Sequence, residues 1–189
     1  MLEFLQGMTP PAWSALISTI ALIVTISVQI AAWRRDRFSR GIDIIRAMDA
    51  RFESSDFREL RRCAALHLIH KPENDPAGRE ALLGVLNFFE TLGFLYAKKV
   101  VDAYSLWHFF GSWLLPYYSA SSHIVDEMRT KDPSIYSELG PLYKAVCEVE
   151  KEKHPSKDTL HMLSRESIDE FLHIQSVLPT TPRPSSTPL

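Results

Sequence analysis

Residues 13–33 read WSALISTIALIVTISVQIAAW, 21 consecutive positions without a charged side chain, and RRDRFSR comes immediately after at 34–40. At 1.5 Å per residue, a helix over that stretch is roughly 31 Å long and matches a hydrocarbon core of about 30 Å. An indole ring joins an apolar body to one N–H donor, so Trp13 and Trp33 stand where the two interfaces of a bilayer hold such rings. Residues 1–12 (MLEFLQGMTPPA) contain Glu3 and no Lys or Arg, which is not the basic opening of a secretory signal. Arg34, Arg35, Arg37 and Arg40 crowd the other flank, and basic residues of that kind mark the cytoplasmic side of a spanning helix. The expectation is a short extracytoplasmic N-terminus at 1–12, one transmembrane helix at 13–33, and a cytoplasmic domain behind it.

Small and polar residues inside the segment, Ser14, Ser18, Ala21, Thr25, Gln29 and Ala32, recur at spacings of three and four and share one face. Two readings stay open. Such a face lets helices approach closely in lipid and gives a Gln amide a partner, which makes a homo-oligomer. Alternatively, the hydroxyls bond back to their own helix.

The chain has 21 basic and 23 acidic residues, a net charge of -2, so a strongly basic surface for nucleic acid is not indicated. From Arg34 to Arg62 there are nine Lys or Arg against six Asp or Glu, and after Arg62 there are twelve against sixteen. The positive excess adjoins the apolar segment, where each basic group near an anionic leaflet contributes about 1 kcal/mol. Setting the orientation of the helix accounts for the same run. Cys63 and Cys147 form no CxxC pair, as expected of core fillers in a reducing compartment.

Residues 34–153 are expected to form an all-α cytoplasmic bundle of about four to five helices. Ile44, Ile45, Met48 and Phe52 fall at helical spacing and continue from the membrane segment. Ser54, Ser55 and Asp56 offer caps for a second stripe, Phe57, Leu60, Ala64 and Leu68, which runs to about His70. KPENDPAG at 71–78 is a loop by composition. The run from Arg79 to Lys98 is apolar nearly all round, the mark of a central helix, with Leu83, Asn87, Glu90 and Phe94 expected on one face.

Val101 and Asp102 read as staple and cap for a helix whose aromatic face is Leu106, Phe109, Phe110, Trp113, Leu114 and Tyr117, kinked at Pro116. Asp132-Pro133 reads as a helix start and Gly140-Pro141 as an interruption before Leu142, Ala145, Val146 and Val149. A short helix is expected within 154–178, around Ser164 to Leu172, and 179–189 is expected to be a disordered tail. A second span at 81–97 is disfavoured, because an acidic residue such as Glu90 at a bilayer centre costs about 2.5–3.5 kcal/mol.

Asn87 and Glu90 form the most informative pair, since a carboxylate on an apolar stripe needs a partner. Arg58, Arg61, Arg62 and Arg129 are the candidates, and the expected cluster is Asn87, Glu90, Arg129, Arg61 and Arg62. Its structural reading, a buried ion pair fixing helix register, outweighs a binding or proton-handling centre. His67 and His70 lie at i, i+3 spacing, but a metal site needs three or four convergent ligands, and no HExxH or Cys/His pattern is present. No phosphate-cradling glycine loop or GxSxG elbow occurs, so no catalytic residue, metal or cofactor is expected. The aromatic run YSLWHFFGSWLLPYY at 104–118 reads as core before it reads as a ligand pocket.

The anchor with its arginines, LLGVLNFFETLGFLYAKKVVD with Asn87, Phe89, Glu90 and Gly93, WHFFGSW with Phe110 and Trp113, Tyr117, Tyr118 and Arg129 together resemble a bacterial membrane-protein family, DUF4760, a domain of unknown function. The resemblance spans roughly residues 20–145 and implies a bacterial, membrane-anchored helical protein without supplying an activity; together with the single apolar run, the expected location is the inner membrane, spanned once. The expected role is a non-enzymatic interaction or scaffolding module whose partners are the bilayer, a second copy or another protein. The alternative is a signalling or stress-response effector that senses a small ligand through the cytoplasmic domain.

Overall fold

In the computed structural model the described residues are 10–70, 74–155 and 164–177, those at 10–17, 34, 37 and 38 by backbone alone. Six α-helices and no strand occur among them. The expected tail at 179–189, residues 1–9 of the N-terminus, and the side chains of Trp13, Ser14, Arg34 and Arg37 lie outside the described residues.

Helix α1 (Pro10–Phe52) joins the uncharged segment and the amphipathic stretch behind it without a break. The chain nonetheless divides into two compact units, one ending at Arg40 and the other beginning at Gly41. In the first unit every side chain from Ser18 to Trp33 is exposed, Leu22 at 59% and Val28 at 62% among them. The Thr25 hydroxyl donates to the Ala21 carbonyl at 2.8 Å, and the Ser27 hydroxyl donates to that of Ile23 at 2.8 Å, which satisfies both within their own helix. Asp36 and Arg40 pair one turn apart.

The second unit is a helical bundle. Gly41 starts it at a close approach, since a methyl group there would lie 2.8 Å from the Val100 carbonyl oxygen. Ile45 and Phe52 at the end of α1 are buried. Ser54 accepts the Phe57 N–H at 3.3 Å to begin α2 (Ser55–His70). Helix α3 (Pro76–Ala97) begins with proline at its first turn, where no N–H is needed, and with Asp75 accepting the Gly78 N–H at 2.9 Å.

The Asp75 carboxylate also meets His67 Nδ1 at 3.1 Å, and these contacts, Gly78 before His67, hold its pKa below the ordinary 3.8. A carboxyl whose folded pKa lies below its unfolded one stabilises above the unfolded value and loses that contribution as pH falls through the folded one. Asp75→Ala should therefore lower the thermal midpoint near neutrality and leave it almost unchanged at strongly acidic pH, as tracked by helical circular dichroism.

Helix α4 (Ala103–Lys131) opens with Asp102 accepting the Ser105 N–H at 2.8 Å. The helix runs unbroken through Pro116 to Lys131. Pro116 is buried, and proline removes only one donor when the surrounding packing holds the helix. Helix α5 (Leu139–Lys153) and helix α6 (Arg165–Ser176) complete the unit. Helix α2 lies along α3, α5 lies along both α4 and α3, and α6 rests on α2 and α4.

Two expectations need correction. Asp132-Pro133 does not start a helix; Asp132 Oδ1 accepts the Ser134 N–H at 2.9 Å and its hydroxyl at 2.7 Å, closing a turn, and α5 begins at Leu139 with Gly140 and Pro141 in its first turn. The inward face of α3 is also another one. Leu82, Val85, Leu86, Phe88, Phe89 and Leu92 are buried, whereas Asn87 and Phe94 are exposed. Apolar residues surround that helix, so periodicity alone does not select the core side, and the polar Asn87 marks the outside. By length and composition α3 is apolar enough to cross a membrane, and nearly half of it is buried inside the bundle.

Phe52 is the centre of the core. Its ring is fully buried and lies 5.0 Å from Phe88, 5.2 Å from Phe57, 5.2 Å from Trp113, 5.7 Å from Phe110 and 6.1 Å from Phe89. The Arg61 guanidinium stacks over it, with Cζ 4.1 Å from the ring centroid.

Candidate functional site

Glu90 on α3 and Arg129 on α4 reach the same segment, the turn at 132–138 that leads into α5. Glu90 Oε1 accepts the Glu138 backbone N–H at 3.1 Å. Glu138 is the cap position of α5, and its own side chain caps nothing. A carboxylate from a neighbouring helix thus satisfies the N-terminus of α5, where the helix dipole favours negative charge. Arg129 Nε donates to the Ile135 carbonyl at 3.2 Å, and its Nη2 donates to that of Tyr136.

The turn needs holding. Tyr136 is buried at φ 54°, in the left-handed region that a bulky residue adopts at a cost. Burial and then the Glu90 charge push its hydroxyl pKa up. Burial likewise raises Tyr118, with Arg129 opposing the shift. Glu90 Oε2 is buried and makes no hydrogen bond.

Gly93, one turn beyond Glu90, lets α3 touch the turn. A methyl group there would lie 2.7 Å from the Glu138 carbonyl oxygen and 2.8 Å from its carbon, both of them backbone atoms. Gly93→Ala should accordingly destabilise the bundle by about 1–3 kcal/mol, the usual cost of overpacking a rigid contact. Urea denaturation of the full chain in mild detergent would measure it.

The expected cluster of Asn87, Glu90, Arg129, Arg61 and Arg62 is not one site. Asn87 is exposed, and its carbonyl accepts the Thr91 hydroxyl at 2.9 Å. Arg62 pairs with Glu59 at 2.6 Å on its own helix. Arg61 belongs to a separate centre: 2% exposed, it pairs with Glu53 at 3.3 Å, and Glu53 also holds Arg58 at 2.6 Å. The Tyr117 hydroxyl donates to the Arg61 carbonyl at 2.9 Å. Burial lowers the Arg61 pKa against the raising effect of Glu53, and its Nε lacks a partner. Glu90 and Arg129 do meet in one place, but through the backbone of the turn they share. Sequence reasoning missed Tyr136 and Glu53; Tyr136 carries no turn signature, and Glu53 lies in the turn just past the charge-rich end of α1.

Of the histidines, His67 serves the α3 cap, and His154 Nε2 lies 3.9 Å from Glu150 Oε1. Glu150 is buried and accepts the Trp107 indole N–H. Among the described residues, no three His, Cys, Asp or Glu side chains converge as metal ligands.

A family profile described as a domain of unknown function, DUF4760, matches residues 12–146. The chain belongs to this family. The DUF4760 region holds the apolar segment, Glu90, Gly93, Arg129 and the turn they grip, and ends within α5, so α6 lies beyond it. No curated protein and no solved structure matches the chain.

Proposed function

We propose that this DUF4760 protein is a single-pass membrane protein, anchored by residues 13–33 with its N-terminus outside, whose cytoplasmic bundle works by binding a protein partner. The observation that carries the anchor is the exposure on every side of the apolar residues from Ser18 to Trp33. At about 25 cal/mol per Å², leaving such a surface in water is unfavourable, whereas lipid tails remove the cost. Arg34, Arg35, Arg37 and Arg40 favour the cytoplasmic side for the bundle behind them. The DUF4760 match begins at residue 12, so the apolar segment belongs to the family's common module and is not an addition to it.

For the bundle, a binding role draws on the use of its polar interior. Glu90 and Arg129 hold backbone in place, and Arg61 and Glu53 hold helices together. Alkaline carbonate extraction of membranes carrying the full chain tests the anchor: the protein should stay in the pellet, and appearance in the soluble fraction would overturn the reading. Pull-down of the full chain from native membranes should then return a stoichiometric partner protein, and recovery of the chain alone would count against the binding role.

The ligand-sensing reading rests on one feature, a groove of about 660 Å³ where α6 meets α2 and α4, lined by Leu68, Ser119, Ile168 and Leu172 with Arg165 and Asp169 among its polar groups. It lies away from Glu90. The groove includes residues of α6, which lies outside the DUF4760 match.

A further inference from the structure

We propose that the end of the bundle around Gly41 is itself a membrane-contact face, seated on an anionic leaflet; this rests on the anchor formed by residues 13–33. Gly41 approaches the Val100 carbonyl, which places the α3–α4 turn beside the residue where the chain enters the bundle. The last turn of α5 shares that end, because Lys153 Nζ lies 4.9 Å over the Tyr104 ring and His154 lies 6.1 Å from Trp107. Trp33 precedes Gly41 by only eight residues of chain. A leaflet surface at Trp33 is thus within reach of this end of the bundle by chain connectivity alone.

The chemistry of the face fits that surface. Lys98, Lys99, Lys151 and Lys153 are exposed, against the exposed acids Asp43, Asp102 and Glu152. Phe94 and Tyr104 are each 51% exposed, and Lys98 Nζ lies 5.4 Å over the Phe94 ring. Exposed aromatic rings beside lysines are the pairing that suits a headgroup layer, with the ring bodies in the apolar boundary and the ammonium groups on phosphate.

The backbone at Lys99 points the same way independently. The Val100 N–H bonds to the Leu95 carbonyl at 3.0 Å, and the Lys99 N–H bonds to that of Tyr96 at 2.8 Å, the closing motif whose left-handed position usually belongs to glycine. Here it holds lysine at φ 55°. A costly backbone position thus carries a charge that glycine would not supply.

Hydrogen exchange of the full chain in nanodiscs tests the face, comparing phosphatidylcholine alone with a two-to-one mixture of phosphatidylcholine and phosphatidylglycerol. Amides at 98–104 should exchange roughly fivefold more slowly in the anionic discs for each lysine engaged, while those at 132–138 stay unchanged. The double variant Lys98→Glu, Lys99→Glu should erase the difference, and Lys99→Gly should reduce it while melting no lower than the parent chain. Equal exchange at 98–104 in both lipids, or equal slowing at both turns, would overturn the face while leaving the anchor standing. A chain that fails to enter the discs would overturn both.

Discussion

Phe52→Ala should destabilise the bundle by about 3–5 kcal/mol, the range for removing a large aromatic side chain from a close-packed core. The ring is fully buried at the end of α1, with aromatic neighbours from α2, α3 and α4, so its loss opens a cavity that several helices line at once. It also removes the face on which the Arg61 guanidinium stacks, leaving a buried cation with only the Glu53 pair and a weaker contact to Trp113 at 5.8 Å. Against a total stability of about 5–15 kcal/mol, that change removes a large share. Phe94→Ala, at an exposed position of α3, should cost no more than about 0.5 kcal/mol. Urea titration of both variants in mild detergent separates the two outcomes, and similar losses would contradict the inward face of α3 built on Leu82, Val85, Phe88 and Phe89.

Arg129→Ala should cost about 2–4 kcal/mol, because it removes charge-assisted donors from two backbone carbonyls, those of Ile135 and Tyr136, in a turn that already holds Tyr136 at positive φ. Exchange of the amides from 132 to 140 should rise more than that of α2, since the turn and the first turn of α5 lose their brace first. Arg129→Lys should recover only part of the loss, as one ammonium does not reproduce the guanidinium fork. A variant with unchanged midpoint and unchanged local exchange would show that the turn is held by its own packing.

Much of this architecture is legible in the residues themselves. The uncharged run 13–33, the Asp102 cap and the aromatic stripe of α4 come from local rules, because caps and apolar spacing act within one or two turns; of the loop expected at 71–78, residues 71–73 lie outside the described residues and Pro76 to Gly78 already belong to α3. The face of α3 is not legible: a helix apolar nearly all round has no dominant side, so spacing alone puts Asn87 and Phe94 inward when both are exposed. Glu90 stands out correctly as a residue in need of a partner, but side-chain charges point to an arginine. Its partner is the backbone N–H of Glu138, 48 positions away, which no residue identity announces. Arg61 illustrates the same limit. Three arginines occur within five residues, and only the tertiary position of Phe52 distinguishes the buried one from Arg58 and Arg62.

The bundle braces its own backbone with its most unusual polar residues, so the meaning of the molecule turns on the helix that carries it. Protease protection in sealed vesicles of opposite orientation measures that directly. With the anchor at 13–33 and the bundle on the cytoplasmic side, a fragment containing the bundle should survive in right-side-out vesicles and be digested in inverted ones. Digestion in right-side-out vesicles, or a bundle released from both preparations without cleavage, would contradict that placement.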